Sequence, residues 1–333
     1  MRVEAAAYQG RPVSFRVVGP WAHRNGPPPV SFGSLSAPMF IVGVLALPAA
    51  AGLLAWRNAR IERGDRHGAF GLAAFLFLSS LLGNLAAAHH VPTATEFALL
   101  FAALRYAVTM AGLGWVLYMA FEPQLRKRAP ASLISWNRIL AGRVRDPMVG
   151  GHLLVGVGLG VLTFCVVNAF APLRFVVPSA PKLPWSNGGF LSSCSLWCAE
   201  LIPGILGGLG FALILNLISI LVRRRWLRVP VFVLVMTLLL APGYAALSIE
   251  TLVYVAIGLL IVAIIFARFG VLATVASVYT RFILQDFPLT TNWSAWYAHA
   301  ALLGIATVGG LAVYGFVTTL TGRPLWPNKL DAT

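Results

Sequence analysis

The sequence predicts an all-α, polytopic transmembrane helical bundle of about eight spans with an added interfacial amphipathic helix, and three observations carry that prediction. Hydrophobic residues fill 59% of the 333 positions and charged residues only 11%, where a water-soluble domain carries about 25% charged. The apolar residues collect into eight stretches, each close to the roughly 20 residues that cross a hydrocarbon core about 30 Å thick. Arginine is concentrated in every second gap between them, the asymmetry expected of cytoplasmic loops.

Residues 1–37 read as a polar, Pro-rich extracytoplasmic tail, in which alternating runs such as Val13–Val18 add one or two strands. No signal peptide is visible in it. Residues 38–320 form the membrane domain, with spans at Pro38–Trp56, Ala69–Ala88, Ala98–Ala120 and His152–Ala171 in the first half. Leu201–Val222, Val229–Leu247, Thr251–Ala267 and Ala298–Leu320 follow. Each must be a helix, because lipid offers no partner to a free N–H or C=O. The seventh stays apolar past Arg268 to about Ile283. It reads either as a long helix leaving the bilayer or as a span followed by an interfacial piece. Residues 321–333 form a C-terminal tail.

Charge sets the orientation. Sixteen Lys and Arg fall in the gaps read as cytoplasmic: Arg57, Arg60, Arg63, Arg66; Arg126, Lys127, Arg128, Arg138, Arg143, Arg145; Arg223, Arg224, Arg225, Arg228; Arg268 and Arg281. The outer loops and tails hold eight. The expectation is a multi-pass inner (plasma) membrane protein with both termini extracytoplasmic. A net charge of +15 invites a nucleic-acid reading. Its placement at span ends points instead to anionic lipid headgroups as the partner, with no nucleic acid.

The gap Glu122–Gly150 has the most internal pattern. Pro130 and Ser132 begin a helix, and Leu133, Ile134, Trp136, Ile139, Leu140 and Val144 share an apolar side. Arg138, Arg143 and Arg145 lie towards the polar side, and Asp146-Pro147 ends the helix. That composition suits a helix in the headgroup layer; a plain basic connector is the alternative. Together with Arg126, Lys127 and Arg128, these residues form a candidate cytoplasmic interface.

Residues that carry chemistry are few. Arg105 is the strong charge well inside a span, and is either a ligand or ion-pair residue or a snorkelling cation. His89, His90 and Glu96 share a short outer loop, but no Cys or Asp completes a zinc set, so no metal is assigned. Cys194 and Cys198 enclose an outer-loop segment and are a possible disulfide, a bridge that becomes awkward if the segment is helical. Gly156 and Gly160, and Gly204, Gly207, Gly208 and Gly210, favour close helix packing, with a substrate path as the alternative. No P-loop, H-E-x-x-H or G-x-S-x-G motif occurs, and no cofactor is implied.

Two segments, "WRNARIERGDRHGAF" (Trp56–Phe70) and "FEPQLRKRAPASLISWNRILAGRVRDPMVG" (Phe121–Gly150), carry a resemblance. They are similar to the C-terminal multi-pass membrane region of bacterial membrane-bound serine/threonine protein kinases. Arg2–Trp21 resembles the end of the extracytoplasmic stretch that precedes that region. The resemblance implies an anchoring or sensory module without kinase activity of its own, joined to a kinase domain in cis or in trans. It also implies that the span exporting the N-terminal tail belongs to an upstream part. The kinase's working motifs are missing: "HRN" (His23–Asn25) is not H-R-D, "DFP" (Asp286–Pro288) is not D-F-G, and "VAIG" (Val255–Gly258) lacks the lysine that would hold ATP phosphates. Signals would enter through His89–Glu96 and Arg174–Cys198 and leave through Arg57–Gly68 and Phe121–Gly150. A transporter or channel is the alternative.

Overall fold

The structure, a computed structural model, describes residues 2–8, 11–18, 47–61, 64–88, 90, 92–169, 189–240, 249–294 and 297–320. A two-stranded antiparallel hairpin comes first, β1 (Arg2–Tyr8) paired with β2 (Arg11–Val18), with a register irregularity between Ala6 and Ala7. The helices follow as α1 (Leu47–Arg60), α2 (Arg66–Ala87), α3 (Thr95–Arg128), α4 (Ile134–Leu140) and α5 (Pro147–Ala169). α6 (Phe190–Leu221), α7 (Arg228–Leu240), α8 (Ile249–Asp286) and α9 (Ala298–Leu320) complete the chain.

Among the described residues, six helices are long and apolar enough to cross a membrane: α2, α3, α5, α6, α8 and α9. Their outward faces carry bare hydrophobic side chains such as Phe97, Phe101 and Leu78. Such a surface is stable only against lipid or another apolar partner. The first and sixth expected spans coincide with α1 and α7, whose remaining residues, 38–46 and 241–247, lie outside the described residues. So do residues 19–37, His89, 170–188 and the tail 321–333.

Glycines set how closely the central helices meet. A methyl group on Gly156 would stand 2.6 Å from the Ala273 carbonyl oxygen, and one on Gly160 would stand 2.7 Å from that of Ser277. Gly204 and Gly208 meet α8 from the other side, at Tyr279 and Val275. The G-x-x-x-G of α5 and Gly204 and Gly208 of α6 are thus packing surfaces for α8, where small residues let backbones touch. The matching order of these contacts shows that the second half of α8 runs parallel to α5 and antiparallel to α6.

α8 is broken at Gly270, whose φ of +78° and ψ of −164° lie outside the helical region. Only glycine holds that φ without strain. A side chain there would also meet the backbone of Ser132, 2.5 Å from its carbonyl oxygen. Before the break, Val255, Leu259 and Ala263 cluster with Phe232 and Met236 of α7. After it, residues 271–280 are buried without interruption. The seventh stretch therefore runs on as helix past Arg268 to Asp286, kinked at Gly270, with its second half at the centre of the bundle. Arg281, counted above as a cytoplasmic loop residue, lies in this packed helix instead.

One end of the bundle gathers the basic segments. Asn58 of α1 bonds to the carbonyl of Met119, Asp65 before α2 bonds to Glu122, and Arg128 reaches the Ser219 carbonyl of α6. Gly270 meets Ser132 at the same end. So does the C-terminal part of α9: Tyr314 donates its hydroxyl proton to the Val144 carbonyl at 2.8 Å, and Gly315 packs against Gly150 and Leu154. The end of α9 thus lies beside the basic loops, not opposite them.

The expected interfacial helix is also different. A 3-10 turn (Pro130–Leu133) leads into the short α4, which stops at Leu140 because Gly142 takes a φ of +74°. Leu133, Ser135 and Trp136 are buried against the bundle, whereas Ile134 and Val144 stay exposed. This segment is a plug beneath the helices, not a helix lying free in the headgroups. Asp146-Pro147 does not end it but starts α5. Asp146 Oδ1 accepts from the Met148 N–H at 2.9 Å, and proline suits the first turn, where its missing N–H costs nothing.

Candidate functional site

The basic end brings together the two segments, Trp56–Phe70 and Phe121–Gly150, that lie far apart in sequence. Asp65 caps α2, its Oδ1 accepting from the Gly68 N–H at 2.8 Å. Its own N–H donates to Glu122 Oε2 at 3.3 Å. The Tyr118 hydroxyl stands 3.3 Å from Asp65 Oδ2 and 3.4 Å from Asn137 Oδ1, and its single proton serves one of them at a time. Buried Asn58 donates to the Met119 carbonyl at 2.8 Å. Asn58, Asp65, α3 and α4 are therefore joined through short polar side chains set into an apolar core of Tyr118, Met119, Phe121, Leu125, Leu133 and Trp136.

Glu122 is fully buried. Arg126, one turn on, pairs with it at 2.5 Å and carries its own charge out to solvent. That geometry keeps a buried carboxylate compensated. Arg138 pairs with Asp146 at 2.6 Å. Partial burial works to raise the Asp146 carboxyl, but the hydrogen bonds from Arg138 and the Met148 N–H outweigh it and hold the group below the usual carboxylate range. Beside this pair, His152 Nδ1 meets Ser135 Oγ at 2.9 Å. Arg126, Lys127, Arg128, Arg143 and Arg145 are all exposed at this end, and buried Trp136 is a core residue.

The other expected site residues lie elsewhere. Arg105 is exposed on the outward face of α3 with no ion pair among the described residues, a placement that suits snorkelling rather than a bundle-lined site. At the far end, His90 Nδ1 meets Glu96 Oε2 at 3.0 Å while its Nε2 meets the Leu85 carbonyl at 2.9 Å. The Glu96 hydrogen bond is the main reason the His90 imidazole is pushed above its ordinary value of 6.5. His89 lies outside the described residues.

Cys194 and Cys198 are free thiols one turn apart inside α6, which begins at Phe190. The expected loop disulfide is replaced by helix, where this spacing does not give the geometry a bridge needs. Ser195 between them donates to the Gly83 carbonyl at 2.8 Å, and Trp197 donates to Thr307 Oγ1 at 2.9 Å. No group of three or more His, Cys, Asp or Glu side chains among the described residues is placed to hold a metal.

Sequence reading missed the burial of two acids near this far end. Glu200 in α6 and Asp286 at the end of α8 are 3% and 1% exposed. The available signal was the position of Glu200 one turn before Gly204, the glycine that seats Tyr279 of α8. No protein-family model, no curated protein and no solved structure matches this chain.

Proposed function

We propose that this chain is an integral membrane anchoring and sensory module, without catalytic activity of its own, of the type appended to bacterial serine/threonine kinases. The observation that supports it is the convergence at the basic end. The two segments bearing the resemblance are tied to each other by Asp65, Tyr118, Asn137 and Glu122. A movement of α2 against α3 is thereby transmitted to the α4 plug. In this reading the basic end faces the cytoplasm, by the positive-inside rule. The protein sits in the inner membrane, and the end of α9 lies on the same side as the basic loops.

The test is to express the full chain with and without a matching kinase domain in trans. Co-purification and altered kinase phosphorylation are expected, and these should be lost in a Tyr118→Phe/Asn137→Ala variant. Unchanged phosphorylation together with no co-purification would sink the proposal.

A transporter is the second reading, favoured by buried Glu200 and Asp286 near the far end. Of the glycines first considered as a path, Gly156, Gly160, Gly204 and Gly208 are occupied by helix contacts. Substrate uptake that survives Glu200→Gln and Asp286→Asn would count against it.

A further inference from the structure

A cavity of about 940 Å³ opens at the basic end between α1, α3 and α6. All three helices run towards that end, so residues earlier in each lie deeper. The deeper wall is largely apolar, with Leu54 of α1, Pro123 of α3 and Leu217 of α6 beside the polar Asn58, Glu122 and Gln124. The mouth is basic, with Arg57, Arg126, Lys127 and Arg128 around it. Its carboxylate, Glu122, is already engaged by Arg126 and by the Asp65 N–H. Arg57 and Lys127 form no ion pair among the described residues. Arg128 makes one long hydrogen bond, 3.5 Å, to the Ser219 carbonyl. Like charges crowded at one mouth repel each other, and an anion placed between them removes that cost.

We infer that the cavity is a binding site for a phosphate-bearing lipid. The phosphate sits among Arg57, Lys127 and Arg128, and an acyl chain lies along Leu54 and Leu217. Guanidinium groups match phosphate oxygens in a two-pronged geometry, and Arg57 and Arg128 line the mouth from different helices. The apolar wall separates this site from one for a free anion. Free phosphate shares the headgroup chemistry but gains nothing from Leu54 and Leu217, whereas each buried methylene of a lipid tail adds to binding. The inference does not depend on the signalling proposal, since a lipid would occupy the cavity with or without a kinase partner.

The test uses the purified full chain in neutral detergent, titrated with a fluorescent phosphatidic acid. Saturable one-to-one binding is expected. Combined Arg57→Gln, Lys127→Gln and Arg128→Gln should weaken it about tenfold or more, the loss of charge-assisted contacts. All three side chains are exposed, so the fold should survive. Arg143→Gln with Arg145→Gln, equally basic but outside the cavity, should leave binding unchanged. Leu217→Trp, which fills the apolar wall without altering charge, should weaken it too. An equal loss in the Arg143/Arg145 variant would reduce the effect to general surface charge and overturn the inference. Displacement by inorganic phosphate at concentrations comparable to the lipid's would reassign the cavity to a free anion. No effect from either cavity variant would remove the site altogether.

Discussion

The Asp65 backbone N–H and the Glu122 carboxylate meet at 3.3 Å across 57 positions of sequence. The contact ties the start of one long helix to the end of the next, and Glu122 accepts it from a fully buried position. Arg126 pairs with the same carboxylate. Arg126→Ala leaves a buried charge uncompensated and should cost about 3 kcal/mol. Tyr118→Phe removes one hydrogen bond and should cost about 1 kcal/mol. Thermal unfolding in detergent would rank them; a Tyr118→Phe effect equal to or larger than Arg126→Ala would contradict this account of the network.

Neighbouring glycines of α5 should respond very differently to the same change. Gly160 meets the backbone of α8, whereas Gly158, two residues earlier, has open space where a side chain would go. Gly160→Leu should therefore destabilise by about 1–3 kcal/mol or more, the cost of overpacking. Gly158→Leu should fall within experimental error. Equal effects in a melting experiment would mean that α5 does not seat on α8 as described.

Gly270→Ala faces two obstacles, a positive φ and the Ser132 backbone. The expected outcome is a sharp fall in yield of folded protein, visible as loss of the monodisperse peak in size-exclusion chromatography. Gly258→Ala, with nothing nearby, is the control in the same helix. A Gly270→Ala protein as well behaved as that control would contradict the bend.

His90 should titrate above 6.5, because its hydrogen bond to Glu96 favours the protonated ring. A raised folded-state value means that the contribution is fully present below the unfolded value and fades as pH rises through the folded one. The loop at the far end is therefore tethered at acidic to neutral pH and released in alkali. Histidine NMR would follow it, and Glu96→Gln should bring the midpoint back towards the ordinary value. A midpoint indifferent to Glu96→Gln would show that the pair is not formed.

A reporter joined after Leu320 should be active on the same side as one inserted in 141–145, because α9 ends against Val144 and Gly150. Opposite readings from paired reporters would refute the packing of α9.

The apolar stretches were legible because lipid demands length and hydropathy, and the described helices follow them closely. Less legible were features that hydropathy cannot see. A glycine in an apolar run is silent about its φ, so Gly270 read as one more small residue. Arg281 was counted as a loop cation because charge usually marks a gap, yet it rides a helix packed in the bundle. Asp146-Pro147 was read as a stop when it is a start, since the same pair serves either end of a helix and only the Met148 N–H bond decides. The cavity at the basic end was invisible because its wall comes from three helices separated by long stretches of chain.

The seat of α9 has a practical consequence. Its last turns rest on Val144, Gly150 and Leu154, beside the arginine-rich segments. A domain fused behind α9 would therefore share its solvent with the arginine-rich face, with no need for a linker to cross the bundle.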